Sequence, residues 1–262
     1  MKKSLILTSF TALGLAGFAS ASLVAWYPLD TDASDASGNG YDGSVVGGTV
    51  NFGQGGANGA TGSSAAFPDN GHIDIPFDAA LNPASFTVSL WANASSTNGF
   101  ASPITSRDDV GGGTSTHGFI LYNDNGGNWN FWTGDGNSGW DTMAGPAVAV
   151  STWSHLALTF DNATGTKSLW VDGLLAASEI APAQYSPNGT VEMEDLHIGA
   201  GQDDGLNFFF SGNIDDVGIW DEALDEAAIQ GIMANGVGSA VPEPSSLSLL
   251  AFAGFALMRR RR

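Results

Sequence analysis

The chain has 262 residues, no cysteine and a formal net charge of −19. Without cysteine there is no disulfide framework, no thiolate nucleophile and no thiolate metal site. A hydrophobic content of 43% beside 36 glycines and 10 prolines excludes a disordered chain and a helical bundle, and fits many short strands joined by turns.

The first segment, residues 1–21, has Lys2 and Lys3 ahead of an apolar run from Leu5 to Phe18. Ala19, Ser20 and Ala21 then make a small-residue cleavage site. This order predicts a secretory signal peptide, because the run is short for a membrane anchor and strand-like sequence follows at once. Six of the eight basic residues lie in this segment and in the C-terminal tail. Residues 22–240 therefore keep only Arg107 and Lys167 against 26 acids, a net charge of −24. That charge disfavours nucleic acid and anionic membrane surfaces and favours cations, although an acidic surface also serves solubility by itself.

Strand signals then recur along the chain. In "SFTVSLWANA" Phe86, Val88, Leu90 and Ala92 alternate with Thr87, Ser89, Trp91 and Asn93, a period of two. In "NWNFWTGDGNSGW" Trp129 and Phe131 alternate with Asn130 and Trp132, so one set should face a core and the other should not. "WSHLALTFDNATGTKSLWVDGLLAAS" predicts strands joined by a polar turn at residues 161–166 and a tight reversal at Asp172–Gly173. The glycine-rich patches at 47–62 and 111–113 read as loops within one domain, 22–240. One helix is expected, capped by Asp225, with an apolar stripe of Ala228, Ile229, Ile232 and Met233, and closed by Asn235 and Gly236.

The tail "VPEPSSLSLLAFAGFALMRRRR" carries an apolar run, Leu247 to Met258, that would rise only about 18 Å as a helix against roughly 30 Å of hydrocarbon. An exposed motif, a short apolar run and a basic stop make the layout of a tail that is cut, with a retained tilted anchor as the alternative. Residues 241–262 resemble the PEP-CTERM sorting signal of Gram-negative bacteria, with Pro242, Glu243 and Pro244 as its triplet. The resemblance implies processing by an exosortase and delivery to the cell surface or extracellular matrix. It also implies contact with the inner membrane only through the tail, before processing.

A second resemblance covers residues 24–236. The blocks "LVAWYPLD", "DASGNGYDG", "AAFPDNGHIDIP", "SFTVSLWANA", "WSHLALTFD", "LWVDG", "LHIG" and "FSGNIDDVGIWDEAL", in this order, resemble the LamG-like jellyroll family of concanavalin A-like folds. The last block is also similar to the pentraxin C-terminal strand. The family implies an all-β, two-sheet antiparallel jellyroll sandwich with adjacent first and last strands.

Calcium takes six to eight oxygen ligands, usually from flexible loops. "DASGNGYDG" offers Asp35, Asn39 and Asp42, and "NIDDV" offers Asp215 and Asp216. If the family topology joins these segments, Asp35, Asn39, Asp215 and Asp216 are the candidate ligands of a structural calcium. The same residues also make ordinary turns and amide caps. Gln202, Asp203 and Asp204 fall where pentraxins carry calcium ligands, in a loop of different length.

Sugar rings stack their apolar faces on aromatic side chains, so Trp132 and Trp140 are the candidate platform for a polysaccharide or glycoconjugate; core packing is the alternative use of these rings. Catalysis has little support. Glu192 and Glu194 in "VEMEDLHIG" would share a strand face, but the E-x-D-x-x-E arrangement of β-glucanases is missing. His72, His117, His155 and His197 lie apart in the sequence, without a recognised metal or triad motif, and His155 matches the family's structural W-x-H. The expectation is an exported, surface-sorted, non-catalytic binding or adhesion module for matrix polysaccharide. The alternatives are a structural matrix protein without a discrete ligand and, third, a glycoside hydrolase or lyase.

Overall fold

The computed structural model describes residues 21–109, 115–137, 139–189, 193–202 and 205–240. Residues 1–20 of the expected signal peptide 1–21, the sorting triplet Pro242, Glu243 and Pro244 with the rest of the tail, and Glu192, Asp203 and Asp204 lie outside the described residues.

Five short strands come first: β1 (Leu23–Tyr27), β2 (Ser44–Val46), β3 (Asn51–Gly55), β4 (Ser63–Phe67) and β5 (His72–Ile75). Longer ones follow: β6 (Phe86–Ala94), β7 (Ala101–Asp109), β8 (Thr116–Asn123), β9 (Asn128–Gly134) and β10 (Trp140–Ala147). The chain continues through β11 (Ser154–Asp161), β12 (Thr166–Val171), β13 (Leu174–Ile180), β14 (Leu196–Ile198), β15 (Gly201–Gln202), β16 (Leu206–Asn207) and β17 (Gly212–Trp220), and ends in helix α1 (Glu226–Asn235).

These strands build a jellyroll sandwich of two antiparallel sheets. Sheet A runs β13-β12-β11-β6-β17-β4-β3 with β1 added on β17; sheet B runs β10-β9-β8-β7-β14-β5-β2. β1 pairs with β17 from Leu23 opposite Trp220 to Tyr27 opposite Val217, so the first and last strands are neighbours, as the resemblance implies. Between the sheets lies one large apolar cluster in which Phe86 is stacked on Phe119 and Phe160 and edge-on to Phe131.

Local signals act as expected where they depend on short spacing. Asp172 and Gly173 both take positive φ, 50° and 73°, which the two-residue reversal between β12 and β13 requires. The Asp225 carboxylate accepts from Ala228 N at 2.9 Å to cap α1, Ile229 and Ile232 are buried, and Gly236 closes the helix at φ 78°. In β9, Trp129 and Phe131 enter the core.

β6 departs from its alternation, because Thr87 and Ser89 are buried as fully as Phe86 and Val88. The strand is central in sheet A, and the segment leading to α1 covers its outer side. Thr87 Oγ1 donates to Glu222 O at 2.7 Å and accepts from Leu224 N at 2.8 Å; Ser89 Oγ meets His155 Nε2 at 2.9 Å. His155 is fully buried, and desolvation pulls its pKa down to about 3, so the ring stays neutral. Among the described residues no helix is long and apolar enough to cross a membrane.

Candidate functional site

The face of sheet B turned away from the core carries an aromatic pocket of about 250 Å³, lined by Phe100, Arg107, Tyr122, Trp132, Trp140 and Phe208. Its walls follow from strand alternation: with Leu121 and Phe131 in the core, Tyr122 and Trp132 must point outward. Tyr122 and Trp132 meet edge-to-face with ring centroids 5.1 Å apart, and Phe100 stands edge-on to both, at 5.2 Å and 5.8 Å. Trp132 Nε1 donates to Asn130 Oδ1 at 2.8 Å, and Asn130 Nδ2 donates to Asp124 Oδ2 at 2.9 Å. That chain fixes the indole.

Arg107 closes the pocket from β7, its guanidinium 5.0 Å from the centre of the Trp140 ring, and its Nη1 donates to the Gln202 carbonyl. Opposite Arg107 in the ladder stands Gly118 at φ 85°, where a Cβ would lie 1.7 Å from Ser106 O. No larger residue fits there. The segment after β16 supplies the last wall: Ser102 N donates to Phe208 O at 2.8 Å, which carries Phe208 over Tyr122 at 5.5 Å.

Trp132 and Trp140, singled out from the sequence, thus share one pocket. Phe100, Arg107, Tyr122 and Phe208 were missed. Arg107 carried a signal as one of only two basic residues in 22–240; Phe208 carried none, since its loop has no periodicity.

The acidic residues divide into two groups. Asp35 organises its own loop: Oδ1 accepts from Trp26 N and Ser37 N, and Oδ2 from Ser37 Oγ, Gly40 N and Tyr41 N. Burial opposes its charge, but these donors hold the carboxyl below the usual carboxylate range. Asn39 Nδ2 donates to the carbonyls of Leu23 and Val24. Both residues therefore serve the turn that was the alternative use of "DASGNGYDG".

Asp215 and Asp216 sit on β17 and are buried. Asp216 spends Oδ1 on Trp26 Nε1 and Oδ2 on Val237 N, both at 2.8 Å. Asp215 Oδ2 accepts from Ala57 N and Thr61 Oγ1, whereas its Oδ1 is buried with no hydrogen-bond partner. Burial pushes Asp215 up to about 7, and the charges of Asp216 and Asp30 add to the rise; burial raises Asp216 as well. Asp30, not Asp35, is the further acid whose charge reaches this pair. It accepts from Ser63 N, and a Cβ on Gly62 would lie 2.4 Å from its Oδ1. A Cβ on Gly56 would lie 2.0 Å from Gly62 O and 3.1 Å from Asp215 Oδ2, so these oxygens crowd into one glycine-lined corner.

Two sequence readings change here. Glu194 precedes β14 instead of lying on a strand, so the expected shared strand face with Glu192 has no support; Asn188 Nδ2 donates to the Glu194 carbonyl at 2.7 Å. His72 and His197, distant in sequence, lie on paired strands with ring centroids 5.9 Å apart. Gln202 is buried in β15 beside His197.

Comparison with known proteins agrees with this architecture. The family model for the concanavalin A-like lectin/glucanases superfamily matches residues 67–230, and the PEP-CTERM protein-sorting motif matches residues 240–262. Mouse (Mus musculus) pentraxin-related protein PTX3 is 35% identical over 94 residues, 33% of this chain and 24% of its own length, so the match spans about a quarter of that relative. Domain 4 of AbnA, a GH43 extracellular arabinanase from Geobacillus stearothermophilus solved with arabinotriose, superposes with a TM-score of 0.63 at 21% identity, covering 82% of this chain and 99% of that one. The CBM40 of Ruminococcus gnavus IT-sialidase, bound to α2,3 sialyllactose, superposes at 0.54 with 16% identity, covering 65% of this chain and 96% of that one. At such identities the likeness is one of fold. With its matched strands and its two-sheet topology, the chain belongs to the concanavalin A-like lectin/glucanases superfamily.

Proposed function

We propose that this is an exported, surface-sorted, non-catalytic carbohydrate-binding protein whose ligand pocket is the aromatic cavity on the outer face of sheet B. The observation that carries the reading is the convergence of Phe100, Tyr122, Trp132, Trp140 and Phe208 around Arg107 in a cavity of about 250 Å³. Aromatic walls accept the apolar faces of a sugar ring, and the Arg107 guanidinium beside the Trp140 ring holds that wall in place. Five aromatic rings and one guanidinium line this pocket, a composition suited to binding. The sorting motif supports export and exosortase processing, and the glycans named with the two superposed structures support a saccharide as the ligand class.

A structural calcium belongs to the same proposal, held by Asp30 and Asp215 with carbonyls such as that of Gly62. The donors are all hard oxygens, and Asp215 Oδ1 is a buried acceptor that a cation would satisfy. When bound, the ion supplies charge compensation at the junction of β1, the 56–63 segment and β17. Asp215 would hold it through its partnerless Oδ1, and Asp216 binds Trp26 Nε1 and Val237 N.

The test is a glycan and polysaccharide screen with the purified protein, run once in millimolar calcium and once in chelator. Saturable binding to a defined glycan is expected, and Trp132→Ala or Trp140→Ala should weaken it by about tenfold or more, near 1.4 kcal/mol. Both variants should keep the wild-type melting temperature within a few degrees, because both side chains are partly exposed and outside the core cluster. No affinity for any glycan in either condition would reject the reading in favour of a structural matrix role, for which the −24 charge of residues 22–240 is the supporting observation.

A further inference from the structure

Strand register assembles a second polar cluster on the same face of sheet B. β5 carries His72 and Asp74 two residues apart and hence on one side. β14 pairs with β5 so that His197 stands directly opposite Asp74. One ligand atom from each of the three lies within 4.8 Å of the others. His197 Nδ1 is 2.6 Å, and His72 Nε2 3.2 Å, from the same oxygen, Asp74 Oδ1. The imidazole side chains are 5% and 3% exposed and the carboxylate 21%, so Asp74 marks the side open to solvent. The Phe209 ring, 5.7 Å from His72, covers another side.

Hydrogens are too few for the acceptors that meet here. His72 Nδ1 lies 2.9 Å from the Asn70 carbonyl, an acceptor only, so Nδ1 carries the ring hydrogen. In the neutral ring this turns the Nε2 lone pair toward a carboxylate oxygen, and Nε2 has no hydrogen-bond partner. His197 likewise lies between two oxygens, Asp74 Oδ1 at 2.6 Å and Gln202 Oε1 at 3.3 Å. Each neutral ring thus brings one hydrogen to two oxygen acceptors, so that in each ring one nitrogen lone pair faces an oxygen lone pair. A cation among them removes the conflict.

We propose that His72, Asp74 and His197, with Gln202 Oε1 beside them, form a binding site for a divalent transition-metal ion of the zinc class. Two imidazole nitrogens and one carboxylate suit zinc, which accepts four ligands of mixed nitrogen and oxygen; calcium requires six to eight oxygens. The backbone bond from His72 Nδ1 to Asn70 O is the outer contact that fixes the tautomer and aims Nε2. The site is separate from the acidic corner at Asp215. It adjoins the aromatic pocket through Gln202, whose carbonyl accepts from Arg107.

The experiment titrates zinc, cobalt(II) and calcium separately into the purified protein and follows the imidazole nitrogen resonances by NMR. Stoichiometric zinc binding is expected, with visible absorption bands from bound cobalt, shifts at His72 and His197, and none at His117 or His155. His72→Ala and His197→Ala should each lower zinc affinity by about tenfold or more, and Asp74→Asn should do the same while keeping the wild-type melting temperature in chelator. The proposal is overturned by the absence of stoichiometric zinc binding, by zinc affinity unchanged in His72→Ala and His197→Ala, or by zinc that equimolar calcium displaces. Should a variant fail to fold, the wild-type resonances decide: His72 and His197 unmoved at saturating zinc would end the idea.

Discussion

In chelator, the protein is expected to lose about 4 kcal/mol of stability through Asp215 as the pH rises from about 4 to about 8, and calcium is expected to restore most of it. The folded-state pKa of this carboxyl is raised from 3.8 to about 7, burial being the main cause. A raised folded pKa means that the native state holds the proton more tightly than the unfolded chain. The stabilising contribution is therefore complete below about pH 4 and is lost as the pH climbs through about 7. In melting temperature this amounts to roughly 10 °C. Calcium at a hundred times its dissociation constant would return about 2.7 kcal/mol.

Asp215→Asn should separate the charge from the shape. The amide oxygen can still accept from Ala57 N and Thr61 Oγ1, while its NH₂ replaces the partnerless Oδ1. The variant should melt higher than wild type near pH 8 in chelator, show little change with pH from this position, and gain nothing from calcium. Thermal melts of both proteins at several pH values, with and without calcium, check this. A wild-type melting temperature indifferent to calcium across that range would remove the metal from the acidic corner.

The second large effect is expected at Lys167, where replacement by alanine should cost about 3 kcal/mol, or near 10 °C in melting temperature. This ammonium is fully buried on β12 yet reaches across to sheet B. Its Nζ donates to Asp141 O at 2.8 Å and lies 3.3 Å from Asp141 Oδ2, 3.7 Å from Glu179 Oε1 and 5.1 Å from the centre of the Phe131 ring. Burial pulls its pKa down, while Asp141 and Glu179 pull it back up. It ties β10, at one edge of sheet B, to β13, at one edge of sheet A.

Asp141 Oδ2 and Glu179 Oε1 are buried with no hydrogen-bond partner even in the wild type, so removing the lysine takes away their counter-charge and leaves a void where the alkyl stem lay. The two carboxylates are 20% and 39% exposed, so water relieves part of the penalty. Lys167→Met should recover the packing but not the charge, and adding Asp141→Asn to it should recover more. Chemical denaturation of the three variants measures these steps. A wild-type stability in Lys167→Ala would mean that the inter-sheet ion pairs contribute nothing.

Much of the architecture can be read along the chain because it rests on short-range rules. Alternation separated Trp129 and Phe131 from Asn130 and Trp132 in β9, Asp172–Gly173 named a reversal, and Asp225 with Gly236 bounded the helix. Each depends on neighbours within a few residues, where backbone geometry permits few solutions. The sandwich followed from the order of the motif blocks, and the matched family and the topology agree with it.

The sites were legible only in part. Period-two spacing assigns a residue to a face; it does not say which distant strand lies alongside. Asp215 was singled out, but its company depends on where the 56–63 segment folds, and that brings Asp30 rather than Asp35 or Asn39. The acids of "DASGNGYDG" instead satisfied nearby amides, the local alternative that short polar side chains always have.

From the sequence alone come the C-terminal sorting motif, the cysteine-free all-β sandwich, the −24 charge of residues 22–240, and the two tryptophans of the pocket. The tertiary structure decided what the two internal basic residues do, Arg107 closing the aromatic pocket and Lys167 joining the sheets. It also decided that His197 faces Asp74 across a strand pair 123 residues apart in sequence. The physical reason is that hydrogen-bonded register between strands is set by burial of the whole core, a sum over many residues that no local pattern contains.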